Sequence, residues 1–304
     1  MNESIRCSLI LPVFLALLSL LPMGAEAATL EVPGQFPTIQ SAVNAASDGD
    51  TVIVRPGTYY EAVSTVGKTI TLAGVDKESC VLQYSAADYE LPPLQMSSGT
   101  LKNMTVRAVG SRRKAGYGAY CLHADNDFME GRVLMVEDCD FINEGYEAVG
   151  VGLHPRCTVH FVRCMIESLG QYSALFAHDY ESERADIQGQ NLVLEGCTLV
   201  SNSLTNPSFI LQSQGITVPV AQATFVNNTL VNRAGGELFL MRTFIVYPAF
   251  LQEGQVVVLP RTDWTLNPIS SGNNTAAMNA VQVPQPNTAG LSGAIASIGG
   301  MVAQ

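Results

Sequence analysis

From residue 101 onward the chain repeats the pattern apolar-x-x-C/M/N-x-apolar. The repeats fall at Leu101/Met104/Val106, Val136/Cys139/Phe141, Phe161/Cys164/Ile166, Leu194/Cys197/Leu199 and Phe225/Asn228/Leu230, so that successive first residues lie 35, 25, 33 and 31 positions apart. Short runs of this kind with no helical stretch between them read as strands of stacked coils, and the uneven spacing puts loops of different length on the corners. Equivalent positions of adjacent coils lie ~4.8 Å apart. Met104, Cys139, Cys164, Cys197 and Asn228 are therefore expected to form one inward ladder. Core packing is its first reading, with a disulfide between adjacent rungs such as Cys139 and Cys164 as the alternative.

A second pattern, Tyr-x-Ala-apolar-x-apolar, occurs three times: Tyr117 to His123, Tyr146 to Gly152 and Tyr172 to His178. Strand alternation sends Tyr120/Leu122, Val149/Val151 and Leu175/Ala177 inward. The outward face then carries a column of Tyr117, Tyr146 and Tyr172, a column of alanines, and the set His123/Gly152/His178. Sugar rings dock on such faces, because their C–H surfaces pack on aromatic rings while their hydroxyls take hydrogen bonds. Asp125 and Asp179 stand next to the two histidines in sequence, and Glu147 and His154 lie on the middle coil. A histidine paired with a carboxylate serves as a general base near neutral pH. His123, His178, Asp125, Asp179 and Glu147 are the candidate catalytic residues. Tyr117, Tyr146, Tyr172, Arg112 and Arg113 are the candidates for substrate binding. A satisfied surface ladder is the bland alternative, and no metal site is assigned, because spacing alone does not bring three ligands together.

Towards the N-terminus, Ile39, Ala42, Val43 and Ala46 follow the period of one helical face, with Thr38 placed to cap it and Asp48-Gly49-Asp50 to end it. Thr51 to Val54 and Thr69 to Leu72 follow as short strands. The run F-x-T-I-Q-x-A-V, then D-x-V-I-V, G-x-Y-x-E (Gly57, Tyr59, Glu61) and I-T-L-x-G resembles the start of pectin lyase-like β-helix proteins, most closely the pectin methylesterases. The resemblance covers Phe36 to Gly74. It implies an all-β, right-handed parallel β-helix, a single-stranded solenoid with a short N-terminal capping helix. It implies no reaction, because lyases, esterases, glycosidases and non-enzymatic proteins share this fold. The esterase motifs Q-A-V-A-L, Q-D-T, D-F-I-F-G and L-G-R-x-W have no counterpart; the comparable tracts are Gly118 to Leu122, Glu147 to Val149 and Ser173 to Phe176. No catalytic residue is carried over from that family.

Composition narrows the setting. Leu9 to Leu21 is apolar, preceded by Arg6 and followed by Ala25-Glu26-Ala27, the form of a secretory signal cleaved after Ala27. The expected organisation is a signal peptide over 1–27, a β-helix domain over 28–263, and an uncharged tail or cap over 264–304, with no membrane span once the signal is removed. Without Glu3, Glu26 and Arg6 the net charge moves from −11 to −10, which disfavours nucleic acid and anionic membranes. It also opposes a polyanionic sugar polymer unless a basic patch or a bridging cation intervenes. Arg107, Arg112, Arg113 and Lys114 form one such patch, and calcium is the candidate cofactor. The expected protein is secreted or periplasmic. It binds a polysaccharide or other glycan on its outward Tyr/His ladder and, if an enzyme, is a polysaccharide lyase or carbohydrate esterase. The alternative is a non-catalytic glycan-binding or structural surface module.

Overall fold

The structure is a computed structural model that describes residues 26–85, 91–110, 120–125, 131–179, 190–213, 221–236, 238–243, 265–268 and 274–279. The chain winds as a right-handed parallel β-helix, each coil giving one strand in turn to three sheets. Thr51–Val54 (first sheet), Gly57–Tyr60 (second) and Val63–Ser64 (third) form one coil, and Ile70–Gly74, Cys80–Tyr84 and Leu94–Gln95 form the next. The pattern continues through Ala221–Val226, Asn228–Asn232 and Phe239–Thr243. Thr29–Val32 starts the first sheet in parallel register with Thr51–Val54. At the other end Asn274–Asn279 pairs antiparallel with Asn228–Asn232, and Thr265–Pro268 pairs antiparallel with it in turn.

The expected cap helix is present as α1, Ile39–Ala45, and it buries Ile39, Ala42 and Val43. Thr38 and Ser41 form a reciprocal capping box. Distant residues complete both helix ends, which local sequence does not reveal. Glu61 Oε1 and Oε2 accept from the Ile39 and Gln40 amides at 2.8 and 3.0 Å. Lys68 Nζ donates to the carbonyls of Val43, Asn44 and Ala46 at 2.7 to 2.9 Å. The glutamate of G-x-Y-x-E is thus an N-terminal helix partner.

The repeat that organises the sequence lies on the corner between the first and second sheets. Asn103, Asp138, Arg163, Gly196 and Asn227 each take φ between +52° and +62° there, a left-handed step that turns the chain sharply. The residue that follows each one, Met104, Cys139, Cys164, Cys197 or Asn228, points into the core and is 0–1% exposed. The six cysteines from Cys80 to Cys197 are buried thiols with no disulfide among them. Inside the coils Phe141 packs edge-on against Phe161, and Phe209 against Phe225; burying one such ring contributes about 1.5–3 kcal/mol.

A buried polar ladder occupies the corner between the second and third sheets, where Asn143, Ser168, Ser201 and Asn232 are fully buried. Asn143 Oδ1 accepts from the Gly145 and Tyr146 amides at 2.9 and 3.0 Å, and its Nδ2 donates to the Glu147 carbonyl at 2.8 Å. Ser168 Oγ donates to the Tyr146 carbonyl at 2.8 Å. These bonds replace water for backbone groups that the turn would otherwise leave unpaired, and they fix the segment carrying Tyr146 and Glu147.

Candidate functional site

The third sheet brings histidines from three successive coils onto one carboxylate. Its register pairs Leu122, His123 and Ala124 with Val149, Gly150 and Val151, and Gly152 with His178. Asp125 follows Ala124, one step past the end of its strand, and its side chain lies beside His123 and over Gly152. A Cβ on Gly152 would lie 2.0 Å from Asp125 Oδ1, so the carboxylate rests directly over this glycine. His178 Nε2 is 3.2 Å from Asp125 Oδ2, and His154 Nε2 is 3.2 Å from Oδ1. His123 Nε2 stands farther off, 3.9 Å from Oδ2. The Asp125 and His123 side chains are 3% and 4% exposed, His154 10% and His178 15%, so His178 is the most open to solvent of the three imidazoles around Asp125.

This register differs by two residues from the one the Tyr-x-Ala pattern predicts. Cys121, not Ala119, aligns with Ala148 and Ala174, as the bonds from Cys121 N to Ala148 O and from Ala148 N to Ala174 O show. A two-residue slip keeps the inward and outward parity within the strands, so Leu122, Val149, Val151, Leu175 and Ala177 face the core as expected, whereas Ala148 and Ala174, expected outward, precede their strands and are buried with the core. It changes which residues meet. His123 is level with Gly150, and Gly152 separates Asp125, not His123, from His178.

Tyr120, expected inward, instead turns outward, because it precedes the strand Leu122–Ala124 and alternation does not fix its direction. Its ring lies over Gly150, whose Cβ would meet the ring at 2.6 Å, and it stacks on His123 with centroids 5.4 Å apart and planes 3° apart. Tyr120 meets Tyr146 edge-on at 5.3 Å, and Tyr146 meets Tyr172 at 4.8 Å. The described tyrosine column is therefore Tyr120, Tyr146 and Tyr172. Burial raises the Tyr120 phenol far above its ordinary pKa, and the Glu147 carboxylate beside it raises it further. Glu147 is buried next to this phenol.

Tyr117, Arg112 and Arg113 lie outside the described residues. Asp179 closes its strand opposite Leu153, and its side chain is likewise outside the description; among the described residues Asp125 reaches His178. Sequence reasoning left His154 off the candidate catalytic set. It is the first residue after the strand Val149–Leu153, where alternation no longer assigns a direction. Its only signal is proximity to a histidine-rich face.

Asp125 can take one hydrogen bond on each oxygen from a neighbouring Nε2–H. That arrangement puts the proton of a neutral imidazole on Nε2 and gives Nδ1 the acceptor role. The carboxylate also stabilises an imidazolium formed when such a base takes a proton. Among the described residues no group of three or more His, Cys, Asp or Glu side chains has the geometry to hold a metal ion; the imidazoles address the carboxylate itself.

No family model and no curated protein matches the sequence. Among solved structures the chain is similar to the pectin methylesterase PemA of Erwinia chrysanthemi, at 14% identity and a TM-score of 0.42 over 75% of this chain and 91% of that one. It is also similar to the pectin methylesterase of Aspergillus niger, at 13% identity and a TM-score of 0.44 over 75% and 89% of the two chains. The pectin methylesterase from carrot matches at 11% identity and a TM-score of 0.35 over 68% and 83%. The β-helix assignment stands on the strand registers above.

Proposed function

We propose that the chain is a secreted or periplasmic, carbohydrate-directed β-helix that holds a polysaccharide on its third sheet and processes it by acid–base chemistry centred on Asp125. The observation that carries this reading is the Asp125 carboxylate bridging His154 and His178 at 3.2 Å each, beside the Tyr120–Tyr146–Tyr172 column. His178, the most exposed of the three imidazoles, takes the proton in this scheme. Asp125 holds its ring and stabilises the resulting charge, and His154 shares the second carboxylate oxygen. The half-buried Tyr146 and Tyr172 supply the stacking surface. One positioned base serves either candidate reaction, removal of a ring proton in β-elimination or activation of water against an ester. Lyase and carbohydrate esterase are the two enzyme classes it fits. Calcium is retained as a bridging cation between an acidic protein and an acidic polymer.

A recognition module without catalysis is the second reading. It is favoured by the depth of His123 and Asp125, 4% and 3% exposed, beside tyrosines that remain accessible. The deciding experiment is a polysaccharide-binding and turnover screen on the secreted product, with and without calcium, beside His178→Ala and the His123→Ala/His178→Ala double variant. Turnover that disappears in His178→Ala while binding persists supports the enzyme. Binding with no turnover on any polymer overturns catalysis and leaves the recognition module.

A further inference from the structure

A second buried carboxylate lies at the start of the first sheet. Thr29 pairs with Thr51, so Ala28 stands level with Asp50. The Ala28 nitrogen donates to Asp50 Oδ1 at 2.7 Å, the Ser47 amide donates to Oδ2 at 2.8 Å, and the Ala28 carbonyl accepts from the Thr51 amide at 2.8 Å. Asp50 is 8% exposed, whereas Glu26, Ala27 and Ala28 are exposed.

We propose that Asp50 is the docking site for the α-amino group that maturation creates at Ala28, and that the bond cut is Ala27–Ala28. Hydrolysis of that peptide bond by a signal peptidase consumes one water, leaving a carboxylate on Ala27 and an amine on Ala28 that takes up a proton near neutral pH. The hydrogen bond from an amide to Asp50 then becomes an ion pair between an ammonium and a carboxylate at the same 2.7 Å contact.

Three features agree on this position. The small-residue run Ala25-Glu26-Ala27 behind the apolar stretch Leu9 to Leu21 ends at Ala27. A cut one residue to either side would move the charge by about 3.8 Å along the chain and off the carboxylate. The nearby cation does not serve Asp50 by hydrogen bonding, because Lys68 Nζ is spent on the carbonyls of Val43, Asn44 and Ala46. In accord with this geometry the Asp50 carboxyl is held below the ordinary carboxylate range, by the Ser47 amide first and the Ala28 nitrogen next. Processing would thus fasten the first strand of the solenoid where its edge begins.

The test starts with secretion of the full chain and intact-mass and N-terminal sequence analysis of the product. A start at Ala28 is expected, and any other start overturns the cleavage assignment. Docking is tested on three proteins: the Ala28-start form, the same form acetylated at its amino group, and a form with one serine inserted before Ala28. The last keeps an amide at Asp50 but carries the charge one residue away. The free-amine form is expected to melt about 2–4 °C above the other two at low salt, with the gap shrinking at 1 M salt. The gap is expected to vanish in Asp50→Asn. Equal melting of the three forms, or a gap that survives Asp50→Asn, overturns the docking. Should Asp50→Asn fail to fold, the acetylation gap and its salt dependence decide the matter.

Discussion

Asp125 and His154 meet at 3.2 Å across 29 residues of sequence, each the first residue beyond the end of its strand. Regular pairing has stopped at that point, and the two side chains turn towards each other over Gly152. This contact, together with that between Asp125 and His178, turns separate strand ends into one site.

Asp125→Asn is expected to cost about 1–3 kcal/mol in denaturant unfolding, because a buried charged acceptor serving two imidazoles is lost. If the site is catalytic, turnover falls by about 10²-fold or more, while binding of the polymer changes little. Turnover equal to that of the unsubstituted protein would remove Asp125 from the chemistry.

Gly152→Ala tests the close approach directly. The new methyl would lie 2.0 Å from Asp125 Oδ1, with the rest of the carboxylate at 2.1 to 2.6 Å. The aspartate must leave, at a cost of about 1–3 kcal/mol, and the His154 and His178 ring resonances in NMR should shift together. Gly49→Ala is a useful contrast: its φ of +89° disfavours a side chain, but no heavy atom lies within 4 Å of the new carbon, so the histidine resonances should stay in place.

Asn228→Cys asks whether the rungs of the corner ladder are equivalent, as the sequence pattern implies. Asn228 Oδ1 accepts from the Cys197 amide and its Nδ2 donates to the Leu194 carbonyl, both at 2.8 Å in a buried setting. A thiol reproduces neither bond well. Unfolding free energy should fall by about 1–3 kcal/mol for each backbone group left without a partner. A loss under 0.5 kcal/mol would show that water or a shifted backbone replaces the amide.

The thiols supply a pH test. Burial pushes Cys139 and Cys157 from 9.0 up to about 12. Both stay protonated in the native state while the unfolded chain ionises nearer 9, so their contribution leaves stability intact below pH 9 and erodes it as pH rises from 9 to 12. At pH 8 a thiol reagent should modify none of the six buried cysteines of the folded protein and all of them in denaturant. Rapid native labelling of any one would place it at an opening of the coil.

The hydrophobic pattern by itself determined the coil architecture, the buried corner ladder and the inward face of each strand. These follow from side-chain alternation and from repeats that can bury their apolar faces only by stacking. Thr38 as helix cap and the burial of Ile39, Ala42 and Val43 were equally local, and so was the choice of His123, His178 and Tyr146 as residues of one face. Only the tertiary structure decided which of them touch. Alternation has a period of two, so a slip of two residues leaves every apolar side chain inside. The choice between the two registers falls to contacts between coils, where the Tyr120 ring needs the bare backbone of Gly150 and the Asp125 carboxylate needs that of Gly152. His154 and Asp125 lie past their strand ends, where no period governs direction, and the Asp50 contact with Ala28 joins residues 22 apart. Local sequence fixes parity; partners separated by whole coils are fixed by packing in three dimensions.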